Sequence, residues 1–328
     1  MTVSKLLGLL ICMSVLCGAA AADNSFPPSA DEISAVVAPV RSAKLANEKA
    51  VPAAPAAREA DTFITAPQPV RHAKGFVNKD LPKADFHTFG EKDTQIPDTL
   101  DLRPRITPIE DQGQCGSCWA FSLTATNRDG HAIAGNDPGR LSQEWLVDDS
   151  KESNGCNGGD FDSANDFIHP GQPLWSDCPY VAGANGHVAK KCPASLPAVA
   201  KITGWHMLGT KGQGPTAHDI EAYMTLSGKP ISITVAAGTG RWEEYSSGVY
   251  NGCMSASSPD HMINIVGWDN EGATFDANGN LPPGKGIWIL RNSWGTSWGE
   301  KGFMRTKMTD STGHRCNEVA GEAAYFDF

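Results

Sequence analysis

The chain has 328 residues, of which 20% are charged and 40% apolar, enough for one large globular domain with an extension or for two smaller domains. The formal net charge of −10 at pH 7 argues against nucleic acid and anionic membrane surfaces as partners.

The first residues have the pattern of a secretory signal peptide. Lys5 precedes an apolar run, Leu6–Cys17, and Ala20–Ala22 offers small residues for cleavage before Asp23. An uncleaved anchor is the alternative, but the run is short for a membrane span. We predict that residues 1–22 are removed, leaving no membrane association, and that the protein is secreted, periplasmic or extracellular, where disulfides form.

Residues 23–95 differ in composition from the rest of the chain. Alanine and proline dominate, as in Val51–Ala57, and cysteine and tryptophan do not occur. Such a segment buries little apolar surface, so we expect it to be partly disordered. Its last third is either a weakly structured docking piece or a solvated linker, because apolar residues recur there among charges at Phe76, Val77, Leu81, Phe86 and Phe89.

From Ile96 onwards the sequence is typical of a globular domain. Helical signals dominate up to about His169, in a helix from Cys118 to about Gly135, a helix capped by Ser142, and Ser163–Ile168. The second half has strand patterns in Ile231–Val235, His261–Trp268 and Gly286–Leu290. Helices first and strands second predict an α+β protein with two lobes.

A loop between the strands resembles a calcium site in one respect. Asp276, Asn278 and Asn280 alternate as calcium ligands do, but the glycine and glutamate of an EF-hand loop are out of register. A solvated turn is the alternative. We expect no metal and no cofactor.

The stretch Gln112–Trp119 contains what a reactive cysteine needs. Cys118 stands at a helix N-terminus, where the helix dipole favours the thiolate. Of nine cysteines, two lie in the predicted signal, which leaves an odd number and therefore one unpaired thiol. Two hypotheses remain open here: a redox pair of Cys115 and Cys118, or Cys118 as the nucleophile of a hydrolase.

The run Cys115–Trp119 resembles the signature of the papain family of cysteine proteases. Further blocks match that family in order: Ile96–Arg103, Leu141–Glu144, Cys156–Gly159, Asp260–Trp268 and Asn292–Glu300. The resemblance implies a catalytic domain at 96–328, with a helical lobe at about 106–205, a β-barrel-like lobe at about 206–315, and the active site in the cleft between them.

The resemblance also implies a role for each catalytic residue. Cys118 is expected to attack as a thiolate, which needs a cationic neighbour because a free cysteine has a pKa of about 8.5. His261 would be that neighbour and would protonate the leaving amine. Asn292 would orient the imidazole under the cover of Trp294. Gln112 and the Cys118 backbone N–H would stabilise the oxyanion, each by roughly 3 kcal/mol.

Substrate contacts follow from the same resemblance. Backbone groups of Gly158 and Gly159 would hold an extended peptide, with Asp260 and Trp294 beside it. The pocket for the residue before the scissile one would be lined by Phe161, Thr234, Pro259 and either Gly321 or Glu322. Phe161 favours a bulky apolar side chain, and Glu322 would also admit a basic one.

The disulfides implied by the resemblance are Cys115–Cys156 and Cys253–Cys316. Asp149 stands where relatives commonly have a cysteine, so we infer a replacement bridge, Cys178–Cys192.

These features predict a secreted, monomeric cysteine endopeptidase that hydrolyses polypeptides and is made as a zymogen. Residues 23–95 would restrain it, with about 61–95 along the cleft. The alternatives are a thiol–disulfide oxidoreductase that uses Cys115 and Cys118, and a non-catalytic peptide-binding relative.

Overall fold

A computed structural model describes residues 72–89, 94–184, 192–238, 240–254 and 258–328. The predicted signal peptide and the Ala/Pro-rich stretch up to residue 71 lie outside the described residues. Within the described ranges, no helix is long and apolar enough to cross a membrane.

The described elements are short helices and a large sheet. The α-helices are α1 Cys118–Ile133, α2 Gln143–Asp149, α3 Asn165–Ile168, α4 Ala217–Ser227 and α5 Gly240–Glu243. The strands are β1 Phe86–His87, β2 Thr99–Asp101, β3 Gly204–Leu208, β4 Ile231–Val235, β5 Val249–Tyr250, β6 His261–Asp269, β7 Ile287–Arg291, β8 Phe303–Lys307 and β9 Ala323–Asp327. Single 3-10 turns occur at Arg103–Arg105, Gly155–Asn157, Phe161–Ala164, Ala182–Ala184 and Cys316–Glu318.

The strands form one mixed sheet in the order β1-β3-β9-β4-β6-β7-β8-β5, with β2 added on β6. The central pairs β4–β6 and β6–β7 are antiparallel, with Val235 opposite His261 and Asn264 opposite Arg291. The start of β6 and the end of β7 therefore lie at the same edge of the sheet. This edge carries His261 and, directly after β7, Asn292.

Two hydrophobic cores divide the fold. One lies on the sheet and includes Ile233, Ile265 and Leu290. The other surrounds α1 and includes Trp119 and Phe161. The α+β, two-lobed architecture predicted from the sequence is therefore confirmed.

Several elements were not predicted, among them helix α4 and strand β9. Helix α4 lies in the half assigned to strands, although the sequence contains its signals: Thr216 and Asp219 form a reciprocal capping box, and Gly228 ends the helix with φ of 67°. Strand β9 lies beyond residue 315, the predicted end of the β lobe, and pairs with both β3 and β4.

The loop considered for calcium forms a turn closed by its own aspartate. Asp276 Oδ1 accepts from the backbone N–H groups of Asn278 and Asn280, each at 2.9 Å. This carboxylate oxygen is satisfied by the turn itself, as in the solvated-turn alternative.

Candidate active site

Cys118 is the first residue of α1, and its side chain is completely buried. It is the only free cysteine among the described residues. Its Sγ accepts from the backbone N–H groups of Gly75 at 3.2 Å and Met262 at 3.4 Å. The sulfur therefore lies between the helix N-terminus, the segment that precedes the catalytic domain, and the start of β6.

His261 and Asn292 are in direct contact. Nε2 of His261 lies 2.9 Å from Oδ1 of Asn292, which also accepts from the Ser293 N–H at 2.8 Å. Because an amide oxygen only accepts, Nε2 is the donor and Nδ1 of the neutral ring carries the lone pair. Nδ1 is buried and has no hydrogen-bond partner in the part of the chain that the structure describes. The Trp294 ring covers the contact, 4.8 Å from the imidazole.

Cys118 and His261 are both neutral while their side chains are buried. Burial raises the pKa of the Cys118 thiol to about 12, against the opposing effect of N–H donors from Met262 and Gly75. Burial also lowers the pKa of His261 to about 3, although the Asn292 hydrogen bond acts to raise it. A thiol and a neutral imidazole are therefore the stable forms here.

Gln112 is held by three contacts of its side chain. Its Oε1 accepts from the Ser293 hydroxyl at 2.7 Å, and its Nε2 donates to the carbonyls of Cys115 and Ala73, both at 3.0 Å. One N–H of the Gln112 amide therefore points into the site, where it donates to the Ala73 carbonyl. The positioning contact of Ser293 was not anticipated, although that residue lies within the asparagine block of the sequence.

Helix α1 is tied to β7 by a buried ion pair. Arg291 Nη1 donates to Asp129 Oδ2 at 2.7 Å, and the other oxygen of Asp129 accepts from the Thr107 N–H and hydroxyl at 2.8 and 2.6 Å. Asp129 lies on the helix that begins with Cys118, and Arg291 directly precedes Asn292. The pair therefore fixes the helix of the thiol against the strand that carries the amide.

Residues His72–Lys79, which we call the cleft segment, run through the site. Gly159 N–H donates to Gly75 O at 2.9 Å, Val77 N–H donates to Gly159 O at 3.1 Å, and the resulting bridge is parallel. Phe76 N–H donates to Asp260 O at 3.1 Å. The backbone groups expected to hold a substrate therefore hold this segment.

Side chains anchor the cleft segment at both ends of the site. The Phe76 side chain is buried, with its ring 6.4 Å from that of Phe161. His72 stacks on Trp294 with centroids 4.4 Å apart and an interplanar angle of 8°. A solvated linker is therefore the wrong alternative for this stretch, and the docking piece is the observed one.

Glycines permit the close approach. A Cβ at Gly75 would lie 1.7 Å from the Gly116 carbonyl oxygen, and one at Gly159 would lie 2.6 Å from the Trp119 ring. Gly158 has φ of +122°, which L side chains rarely adopt.

Of the expected pocket residues, Phe161 and Glu322 contact the cleft segment. Thr234 and Glu322 are paired through their main chains, with Thr234 N–H donating to Glu322 O at 3.0 Å. The Glu322 carboxyl accepts from the Asn78 side chain at 3.2 Å, which places it, rather than Gly321, against the cleft segment. Burial raises the pKa of Glu322. Pro259 is partly buried.

Lys79, at the end of the cleft segment, contacts two aspartates. Lys79 N–H donates to Asp160 Oδ2 at 2.9 Å, and its ammonium contacts both Asp162 oxygens at 3.0 Å. Burial raises the pKa of Asp160 to about 7.

The described residues contain three disulfides: Cys115–Cys156, Cys178–Cys192 and Cys253–Cys316. Because Cys115 is bonded to Cys156, it is not paired with Cys118, and the redox reading of these two cysteines finds no support.

Comparisons with known proteins show one family of similar sequences. A family model described as papain family cysteine protease matches residues 96–325. Germination-specific cysteine protease 1 of Arabidopsis thaliana is 35% identical over 240 residues, which cover 70% of this chain and 57% of that protein. The chain thus spans less than two thirds of that relative's length.

Solved structures share the fold. The bromelain protease from Ananas comosus, in complex with the E64 inhibitor, has a TM-score of 0.55 at 28% identity and covers 71% of this chain and 100% of its own. The Amb a 11 cysteine protease, a major ragweed pollen allergen, in its proform, has a TM-score of 0.57 at 27% identity. The match covers 73% of this chain and 67% of that one.

Proposed function

Since the chain belongs to the papain family of cysteine proteases, we propose that it is an exported endopeptidase, made as a zymogen, that hydrolyses peptide bonds through Cys118. The observation that carries the proposal is the convergence of three elements. Cys118 at the start of α1 accepts from Met262, the neighbour of His261, and His261 in turn contacts Asn292.

The reaction follows from these groups once the cleft is open. His261 takes the thiol proton on Nδ1, which is free to accept it, and Asn292 holds the resulting imidazolium through Nε2–H. The thiolate attacks the carbonyl carbon, and the Gln112 amide and the Cys118 N–H stabilise the oxyanion. His261 then protonates the leaving amine, which leaves a thioester that water hydrolyses with His261 as the base.

The cleft segment supports the proposal that residues before Ile96 restrain the enzyme. Its Phe76 forms a parallel bridge with Gly159, and its Gly75 N–H donates to the sulfur. Its Ala73 carbonyl occupies the Gln112 amide. The segment therefore fills the site with an N–H group at the sulfur and a carbonyl oxygen at the Gln112 amide.

Active-site labelling tests the proposal. A peptide epoxide, added to the chain freed of residues 1–95, should alkylate Cys118 alone and abolish proteolysis in the same proportion. The three bridged pairs provide the internal control, since their sulfurs should stay unlabelled without reduction.

Two outcomes would contradict it. Labelling of both Cys115 and Cys118 after mild reduction, together with reduction of insulin, would identify an oxidoreductase. Tight peptide binding with no turnover would identify a non-catalytic relative.

Substrate preference depends on Glu322. The Glu322 carboxyl contacts Asn78, two residues after Phe76. We therefore propose that the pocket that holds the Phe76 side chain accepts a basic side chain as well as an aromatic one. Glu322→Gln should lower kcat/KM about tenfold for peptides with arginine at that position, since a charged hydrogen bond is worth about 1.5–3 kcal/mol. Peptides with phenylalanine there should change less than about twofold.

A peptide library measures both ratios. The control is Glu244→Gln, which changes an exposed glutamate. An unchanged arginine-to-phenylalanine ratio in Glu322→Gln would reject this role.

A further inference from the structure

A second cluster of chemically active side chains lies outside the catalytic site, where β1 meets β3. The strands are parallel, with Phe86 opposite Met207. Successive residues of a strand point to opposite faces, so Asp85 and His87 share one face with His206 of β3. Asp85 and His87 precede the predicted start of the catalytic domain, whereas His206 lies within it.

Two imidazole nitrogens converge on one carboxylate oxygen. Nε2 of His87 lies 3.0 Å and Nδ1 of His206 lies 3.4 Å from Oδ2 of Asp85. The three possible ligand atoms all lie within 4.8 Å of one another. The Nδ1 atom of His206 is buried and makes no hydrogen bond to any described residue, although a buried nitrogen is normally paired.

The opposite nitrogens of both rings are held by β9. Nε2 of His206 lies 2.7 Å from Oδ2 of Asp327, and Nδ1 of His87 lies 2.5 Å from the Tyr325 hydroxyl. Metal-binding histidines typically have their second ring nitrogen fixed by a carboxylate or another oxygen in this way. The outer partners therefore orient both rings with their remaining nitrogens toward Asp85.

Against the expectation of no metal from the sequence, we propose that Asp85, His87 and His206 form a zinc site that fastens the segment before the catalytic domain onto the sheet. Two imidazoles and one carboxylate suit Zn²⁺, with water as the fourth ligand, whereas Ca²⁺ and Mg²⁺ prefer oxygen ligands throughout. The carboxylates of Asp85 and Asp327 also offset the charge of the cation.

Binding requires a small rearrangement of the rings. The imidazoles of His87 and His206 stack with centroids 4.4 Å apart and an interplanar angle of 23°. Coordination turns them apart, so that both lone pairs meet at one point beside Asp85.

The ligand distribution makes the site a clamp. Two of the three ligands lie in the preceding segment, so zinc binds the docked form and loses most of its ligands when the segment leaves. Zinc therefore stabilises the docked form by linkage. This clamp lies outside the catalytic site and does not depend on peptide hydrolysis.

Calorimetric titration with Zn²⁺ tests the site in the chain that begins at Asp23 and carries Cys118→Ala, which removes the reactive thiol as a competing ligand. We expect one zinc per chain and no response to Mg²⁺. His206→Ala should weaken binding at least about 100-fold, and Asp327→Asn about 10- to 100-fold. His314→Ala, which removes an exposed histidine, should leave binding unchanged.

Hydrogen exchange tests the clamp. The Met207 and Gly209 N–H groups donate to the Asp85 and His87 carbonyls, at 2.8 and 2.6 Å. Zinc should slow exchange of these two amides at least tenfold in the Cys118→Ala chain, and it should have no effect in His206→Ala. Circular dichroism checks that the variant is folded, and His206→Gln replaces it if it is not.

The proposal is overturned if the chain binds no zinc, if the His206 variants bind it as tightly, or if the two amides exchange at an unchanged rate. Because the titrated chain lacks the Cys118 thiol, a negative result rejects the zinc clamp and leaves the proposed proteolysis untouched.

Discussion

Cys118→Ala should lower kcat/KM for peptide hydrolysis at least about 10⁴-fold in the chain freed of residues 1–95, as loss of a catalytic nucleophile does in other hydrolases. The thiol is the only free one among the described residues, so no neighbouring sulfur can replace it. His261→Ala should cause a loss of similar size, because the two residues act as one unit.

Initial rates on a fluorogenic peptide measure these losses. His314→Ala provides the matched control, since its side chain is 70% exposed and it should retain full activity. Thermal unfolding of each variant shows that the fold is intact. Residual activity within tenfold of the unaltered chain in a folded Cys118→Ala variant would rule out the nucleophile assignment.

Gly75→Ala should release the enzyme from latency. The added Cβ would lie 1.7 Å from the Gly116 carbonyl oxygen, which belongs to the backbone and cannot turn away. Relief of this clash displaces the cleft segment from the sulfur. In the chain that begins at Asp23, we expect activity to rise from below about 1% to near that of the 96–328 form, because the competing segment no longer fills the site.

The reactivity of the thiol should change in the same direction. The covered thiol has a pKa of about 12, so the thiolate fraction at pH 7 is small. Raising the pH towards 12 increases this fraction, whereas displacement of the segment increases it at pH 7 by removing the burial that raises the pKa. Iodoacetamide should therefore label Cys118 far faster in Gly75→Ala than in the unaltered chain.

Mass spectrometry follows the label on uncleaved chain, so self-cleavage does not confuse the comparison. Lys83→Ala, an alanine substitution at an exposed position shortly after the cleft segment, should leave both rates unchanged. Equal labelling rates in Gly75→Ala and the unaltered chain would show that the segment does not cover the thiol.

The family and the elements that carry the proposed site could be predicted from sequence because their signals are local. A reactive cysteine at a helix N-terminus, a histidine at the start of an apolar strand and an asparagine after another are short patterns, and the observed α1, β4, β6 and β7 lie where these patterns predict them. Helix α4 also had local signals, a capping box and a terminal glycine, but strand patterns around it outweighed them.

The tertiary structure alone decided what depends on contacts between distant residues. The composition of 72–89 was compatible with both a linker and a docking piece, because its few apolar residues acquire burial only from partners such as Phe161. Glu322, and not Gly321, contacts the cleft segment, because the Glu322 carboxyl reaches Asn78.

The amino-acid sequence by itself determined the family and indicated the proposed nucleophile and its proposed acid–base partner, since each is a residue type within a short block. Only the tertiary structure decided that Gly75 lies against the thiol and that His87 meets His206. Both contacts arise from strand pairing and close backbone approach. The energy of such a contact depends on where the partner lies in space, so the contact leaves no periodic pattern in the sequence.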